Sequence, residues 1–138
     1  IGFCGDGGFY YHLSELETAA RFNSNAIMLV KNNYALNQEK HLFDAAYQGQ
    51  QRGRATEMWH FSHEVNFAKV GEAMGCVGMR VESPDDVDAA IQKANEIDDR
   101  PVVIDFRTDS REKVYPMVPS GLSNDQIVTD PSQGEGGH

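Results

Sequence analysis

The chain has 138 residues, 40% of them hydrophobic, with a formal net charge of −9 and a pI near 4.9. That length fits one domain with enough apolar material for a core, and the acidic balance disfavours a nucleic-acid role, which needs clustered Lys and Arg against phosphate. Cys4 and Cys76 are too few for a disulfide framework and fit a reducing, cytoplasmic setting; no apolar run approaches the ~20 residues of a membrane span, and no signal peptide is visible.

Ile1 to Cys4 is half of an apolar run with no turn or helix before it, which reads as a strand in an N-terminally truncated fragment. Ser14 and Glu17 fit a capping box, and Leu13, Leu16 and Ala20 follow at helical spacing. Ala26 to Lys31 is a short continuous apolar run, the pattern of a strand buried on both faces. Residues 34–63 lack a clean period, and a short helix followed by an irregular segment is expected there. Phe67, Val70, Gly71 and Met74 repeat at helical spacing, with Asn66 as the cap and Gly75 as the stop. Val77 to Val81 is the next strand. Ser83-Pro84 reads as an N-cap and first helical position, after which Val87, Ala90, Ile91, Ala94 and Ile97 line one face. Pro101 opens a last strand, Val102 to Phe106. This alternation predicts an α/β fold, a doubly wound parallel sheet with helices on both faces. Residues 1–122 are read as the domain and 123–138 as a polar tail, disordered toward its Gly-rich end.

Ligands of such sheets sit beyond the C-terminal strand ends. Asp6, in Gly5-Asp6-Gly7-Gly8, follows the first strand, and Asn32-Asn33 closes the second, with twenty-four residues between Gly7 and Asn32. A carboxylate and a carboxamide therefore meet at one sheet edge, and their oxygens suit Mg²⁺ or Ca²⁺. The glycines leave backbone N–H groups open to a phosphate, with Gly7, Gly8 and Phe9 as the candidates ahead of a helix. The pattern reads as a site for a metal-bound diphosphate. Elsewhere, His60 and His63 beside Glu57 and Glu64 suggest zinc only weakly, because no Cys joins them. Cys76 reads as a packed small hydrophobe, Trp59 as a loop anchor, and Arg52 and Arg54 as solvated charge.

The spacing from Gly5-Asp6-Gly7 to Asn32-Asn33 resembles the signature of thiamine diphosphate enzymes. Residues 5–9, 14–23, 66–91 and 101–121 together resemble the C-terminal, diphosphate-binding domain of the acetolactate synthase-like family, and Val-Tyr-Pro-Met-Val-Pro after the last strand resembles the synthase branch. The resemblance implies thiamine diphosphate and Mg²⁺ as cofactors, 2-keto acids as substrates, and decarboxylation with carboligation as the chemistry. It implies Asp6, Asn33 and the carbonyl of Ala35 as metal ligands, and Gly5, Asp6, Gly7, Gly8, Phe9, Asn33, Ala35 and Leu36 as the cofactor-binding set. It implies too that a side chain is tolerated at Gly8, where relatives often carry Ser, and not at Gly7, and that the remaining polypeptide and a second subunit, in a homodimer or tetramer, complete the enzyme. The Glu that activates the cofactor in this family comes from another domain, so no catalytic side chain is assigned within 1–138, and this fragment alone is expected to be inactive. Asn37 and Gln38 stand where the typical synthase has Gly-Met, and Leu42 where many have a Trp. These departures put substrate identity in question. Glyoxylate carboligase, sulfoacetaldehyde acetyltransferase and a non-catalytic cofactor-binding homologue are the alternatives.

Overall fold

A computed structural model describes residues 1–47, 58–111, 115, 116, 118, 121–127 and 129. Four strands form one parallel sheet: β1 (Gly2–Gly5), β2 (Ile27–Asn32), β3 (Val77–Val81) and β4 (Val102–Arg107), in the order β1-β2-β4-β3. The most apolar strand takes an inner place. Val102, Val103 and Ile104 of β4 are fully buried, as a strand covered on both faces must be.

Alternation along the strands sorts their side chains between two cores. On one face Val30 and Val103 meet Phe9, Leu16, Phe67 and Cys76, beneath α1 (Asp6–Tyr10), α2 (Glu15–Arg21) and α4 (Phe67–Ala73). On the other, Ile27, Val81, Val102 and Ile104 pack against Ala94, Val87 and Ala90 of α5 (Val87–Asn95). Helices therefore cover both faces, as the strand–helix rhythm predicts. A further helix, α3 (Asn37–Ala46), leaves the end of β2.

Several local expectations are met by identifiable bonds. The Asn66 side chain accepts the Lys69 N–H at 3.0 Å and starts α4. Gly75, at φ +92°, ends it: its N–H bonds to Glu72 O at 3.0 Å and that of Cys76 to Gly71 O at 2.9 Å, the paired closure a left-handed residue permits. Ser83 caps a 3₁₀ turn, Pro84–Asp86, that runs into α5.

Two expectations fail. The glycines after Asp6 do not form a turn ahead of a helix; they form the helix α1 itself. The capping box at Ser14 is also absent, for Ser14 is helical and makes no side-chain cap. The amides of Tyr11, His12 and Glu15 already bond to Gly8, Phe9 and His12 carbonyls, so the chain coils from α1 into α2. Without orphan donors a cap has nothing to satisfy. The expected polar tail carries a 3₁₀ turn, Asn124–Gln126, capped by Ser123; its Gly-rich end lies outside the described residues, as do Arg52, Arg54 and Glu57. Among the described residues no helix is long and apolar enough to cross a membrane.

Candidate functional site

Parallel pairing of β1 with β2 brings their C-terminal ends, and hence Asp6 and Asn33, to one edge. A single amide joins them there. The Ala35 N–H donates to Asp6 Oδ2 at 3.2 Å and to Asn33 Oδ1 at 3.1 Å, so two oxygens from different strand ends converge on one point. Asp6 Oδ1 accepts the Gly7 N–H at 2.8 Å. Ala35 is held by an antiparallel bridge to His60, closed by Leu36 N to Trp59 O and Phe61 N to Tyr34 O, both 2.8 Å. The bridge uses neither backbone group of Ala35 itself, which keeps its N–H for Asp6 and Asn33.

Asp6 is buried, and burial raises its carboxyl above the ordinary carboxylate range; backbone donors, Gly7 and Ala35 foremost, pull it back only in part. A carboxylate so placed gains from a nearby cation. Burial and Asp6 likewise push the Cys4 thiol up.

These groups open onto a cleft of about 550 Å³ lined by Gly5, Asp6, Gly7, Gly8, Asn33, Ala35 and Leu36, a size ordinary for small-molecule sites. Phe9, the remaining member of the expected set, lies in the core instead, its ring edge-on to Phe67 at 5.3 Å. As the fourth residue of α1 its N–H is also taken by the helical bond to Gly5. A Cβ added at Gly8 would meet nothing within 4 Å, whereas one at Gly7 would stand 2.8 Å from Leu36 Cδ2. That ordering matches the tolerance expected from sequence, although Leu36 Cδ2 is the mobile end of a side chain. Hard oxygens from Asp6, Asn33 and the Ala35 carbonyl, with side-chain-free backbone at Gly7 and Gly8, fit a divalent cation and a diphosphate.

Sequence reasoning misses part of this cleft. It singles out Asn37 and Gln38, but Lys31, Glu39, Thr108 and Asp109 also line it. Thr108 and Asp109 directly follow β4, so the strand-end rule that finds Asp6 and Asn33 applies to them equally. Thr108 Oγ1 is buried with no partner among the described residues. A second cavity of about 410 Å³ adjoins the first, sharing Asn33, Thr108 and Asp109 and adding Tyr34, His63, Glu82 and Arg107. Among the described residues no three His, Cys, Asp or Glu gather to hold an ion, and Glu57, named with His60, His63 and Glu64, lies outside them. His63 stacks on Tyr34 instead, ring centroids 4.8 Å apart.

Residues 1–106 match the family described as "Thiamine pyrophosphate enzyme, C-terminal TPP binding domain". The chain belongs to that family, as its cofactor-binding domain. It is similar to the acetolactate synthase of Mycobacterium leprae, 39% identical over 124 residues that are 89% of this chain and 20% of that protein. It also resembles the acetolactate synthase large subunit of Haemophilus influenzae, 29% identical over 94% of this chain and 22% of the relative. The chain thus spans about a fifth of the length of these curated relatives. In fold it resembles a Rhodococcus jostii thiamine diphosphate-dependent 4-hydroxybenzoylformate decarboxylase, with a TM-score of 0.67 at 24% identity over 79% of this chain and 19% of that one.

Proposed function

We propose that this domain holds the diphosphate of thiamine diphosphate through Mg²⁺, within an acetolactate synthase-like enzyme that decarboxylates 2-keto acids and ligates the product to an acceptor. The observation that carries the reading is the convergence of Asp6 and Asn33 oxygens on the Ala35 amide at the sheet edge. Asp6, Asn33 and the Ala35 carbonyl would hold the cation, while Gly7 and Gly8 present backbone to the diphosphate. The cofactor supplies the electron sink for decarboxylation; the protein supplies position and electrostatics. The similarity to acetolactate synthases supports the 2-keto acid class. A chain one-fifth of its relatives' length needs the rest of its polypeptide, and a second subunit, to complete the site.

The test is calorimetric titration of thiamine diphosphate into the full-length protein in Mg²⁺ buffer. Asp6→Ala should weaken binding by roughly tenfold or more, about 1.4 kcal/mol per decade. Unchanged affinity would remove the cation assignment. A second reading concerns the substrate. Asn37 and Gln38 line the cleft just past the cation ligands, making its wall more polar than Gly-Met would. That favours a more polar 2-keto acid or a different acceptor over pyruvate self-condensation. Steady-state kinetics with pyruvate, 2-ketobutyrate and glyoxylate distinguish the two.

A further inference from the structure

Tyr34 stands between Asn33 and Ala35 and has φ +57°, a left-handed conformation that a bulky side chain adopts only under constraint. The constraint is visible. Tyr34 is 2% exposed, and every polar group it has is engaged. Its N–H donates to Asn32 Oδ1 at 3.2 Å, and its carbonyl accepts from Phe61 N at 2.8 Å. Its hydroxyl accepts from Arg80 Nη2 at 3.0 Å. Its ring has the Arg107 guanidinium 5.2 Å from its centroid and the tilted His63 ring at 4.8 Å.

Arg80, on β3, is itself fixed. Its Nε donates to Glu82 Oε1 at 3.0 Å, and its Nη1 lies 3.9 Å from Asp105 Oδ2. Asp105 Oδ1 accepts from Asn32 Nδ2 at 2.9 Å, which returns to the residue that holds the Tyr34 amide. The contacts therefore form a closed loop: Tyr34, Arg80, Asp105, Asn32 and back. Tyr34 and Arg80 do not line the diphosphate cleft. They reach it through the backbone turn at Tyr34 and through Asn32, which together leave the Asn33 side chain and the Ala35 backbone facing Asp6.

We infer that Arg80, acting through the Tyr34 hydroxyl, is a positioning residue that holds the Asn33–Ala35 arm in ligand geometry and so sets cation affinity. This rests on the reading that Asp6, Asn33 and Ala35 hold a divalent cation. A planar guanidinium can bond Tyr34 and Glu82 while facing Asp105; a lysine ammonium supplies charge without that fork.

The experiment measures Mn²⁺ binding to the full-length protein by electron paramagnetic resonance, with thiamine diphosphate present, alongside melting temperature. The wild type binds, and Asp6→Ala abolishes binding, if the cation reading holds. Tyr34→Phe keeps the ring and removes only the hydroxyl. It should weaken Mn²⁺ binding roughly three- to tenfold, the worth of one ordinary hydrogen bond, with the melting temperature nearly unchanged. Arg80→Lys should weaken it similarly, and the double variant should be no weaker than Arg80→Lys alone, because hydroxyl and guanidinium act as one unit. If Tyr34→Phe binds Mn²⁺ within twofold of wild type while Asp6→Ala does not bind, the positioning role is wrong and the cation reading stands. If Arg80→Lys binds like wild type, Arg80 merely balances the Asp105 charge and the inference is overturned. A wild type that binds no Mn²⁺ overturns both.

Discussion

Asp105→Asn exchanges one oxygen for an NH₂ and should nevertheless be among the costliest substitutions in the domain. Asp105 is fully buried, and each of its oxygens faces a donor: Asn32 Nδ2 at 2.9 Å and the Phe67 N–H at 3.0 Å. An asparagine must turn its NH₂ toward one of them. Whichever it chooses, a hydrogen bond to a charged acceptor is lost, about 1.5–3 kcal/mol, and a buried donor is left unsatisfied, about 1–3 kcal/mol. The two costs overlap, so the sum is about 2–4 kcal/mol, a large share of the 5–15 kcal/mol typical of a domain. The geometry also specifies its own rescue, the double variant Asn32→Asp/Asp105→Asn. There the amide introduced at position 105 donates to the carboxylate introduced at position 32. The other oxygen of that carboxylate still accepts the Tyr34 N–H, and the carbonyl of the introduced amide accepts from Phe67. Every hydrogen bond returns; only the 3.9 Å approach of Arg80 to a carboxylate is lost. The double variant should therefore recover at least half of the loss. Urea unfolding of the cofactor-free protein at neutral pH, with unchanged slope, gives both values. A single variant costing less than about 1 kcal/mol, or a double variant less stable than the single, would refute the polarity argument.

Two further outcomes follow from the cleft. Burial raises the Asp6 carboxyl in the folded state, so the folded protein holds that proton more tightly than the unfolded chain. Stability from this group is therefore greatest below the ordinary carboxylate pKa, roughly 3.9, and is lost as pH rises through the raised value. Without divalent cation the wild type should lose melting temperature relative to Asp6→Asn across that window, and parallel profiles would show that burial of Asp6 carries no such cost. At the neighbouring glycines, Gly8→Ala should leave stability within about 1 kcal/mol, helix propensity favouring it. Gly7→Ala must displace Leu36, which lines the cleft, and should weaken thiamine diphosphate binding more than it lowers stability. Equal affinities for the two variants would contradict this.

The sheet was legible because its signals are local. Continuous apolar runs gave β2 and β4 to within a residue, and a capping Asn66 with a stopping Gly75 bounded α4. Asp6 and Asn33 were legible because strand ends in a parallel sheet share an edge, a rule needing only element order. α1 was not legible, since two consecutive glycines argue against helix; the buried Phe9 and the chain's direct passage into α2 override that local preference. The Asn32–Asp105 pair and Arg80 were missed for another reason. Asn32 and Asp105 lie seventy-three residues apart, and nothing in either neighbourhood names the other. One sign was available: Asp105 interrupts Val-Val-Ile-Asp-Phe, and a carboxylate in a strand buried on both faces requires partners. Sequence could pose that question, but only the fold identifies Asn32, Phe67 and Arg80 as the answer.

The same fold explains how an acidic chain could accept an anionic cofactor. Among the described residues, Asp6, Glu39 and Asp109 line the cleft with Lys31 as the one cation, a balance that repels a diphosphate unless a divalent cation intervenes. Placing a basic cluster there would hold phosphate without metal, but it would also hold any phosphate. On the proposed reading, carboxylate and carboxamide oxygens aimed at one point would hold the cation, and the side-chain-free backbone at Gly7 and Gly8 would leave room for the diphosphate beside it. The role inferred for the Tyr34–Arg80–Asp105–Asn32 loop fits the same scheme: Tyr34, Arg80, Asp105 and Asn32 are absent from the cleft lining, and they meet the arm at the left-handed turn of Tyr34 and at Asn32, leaving the cleft itself to the cation and the diphosphate.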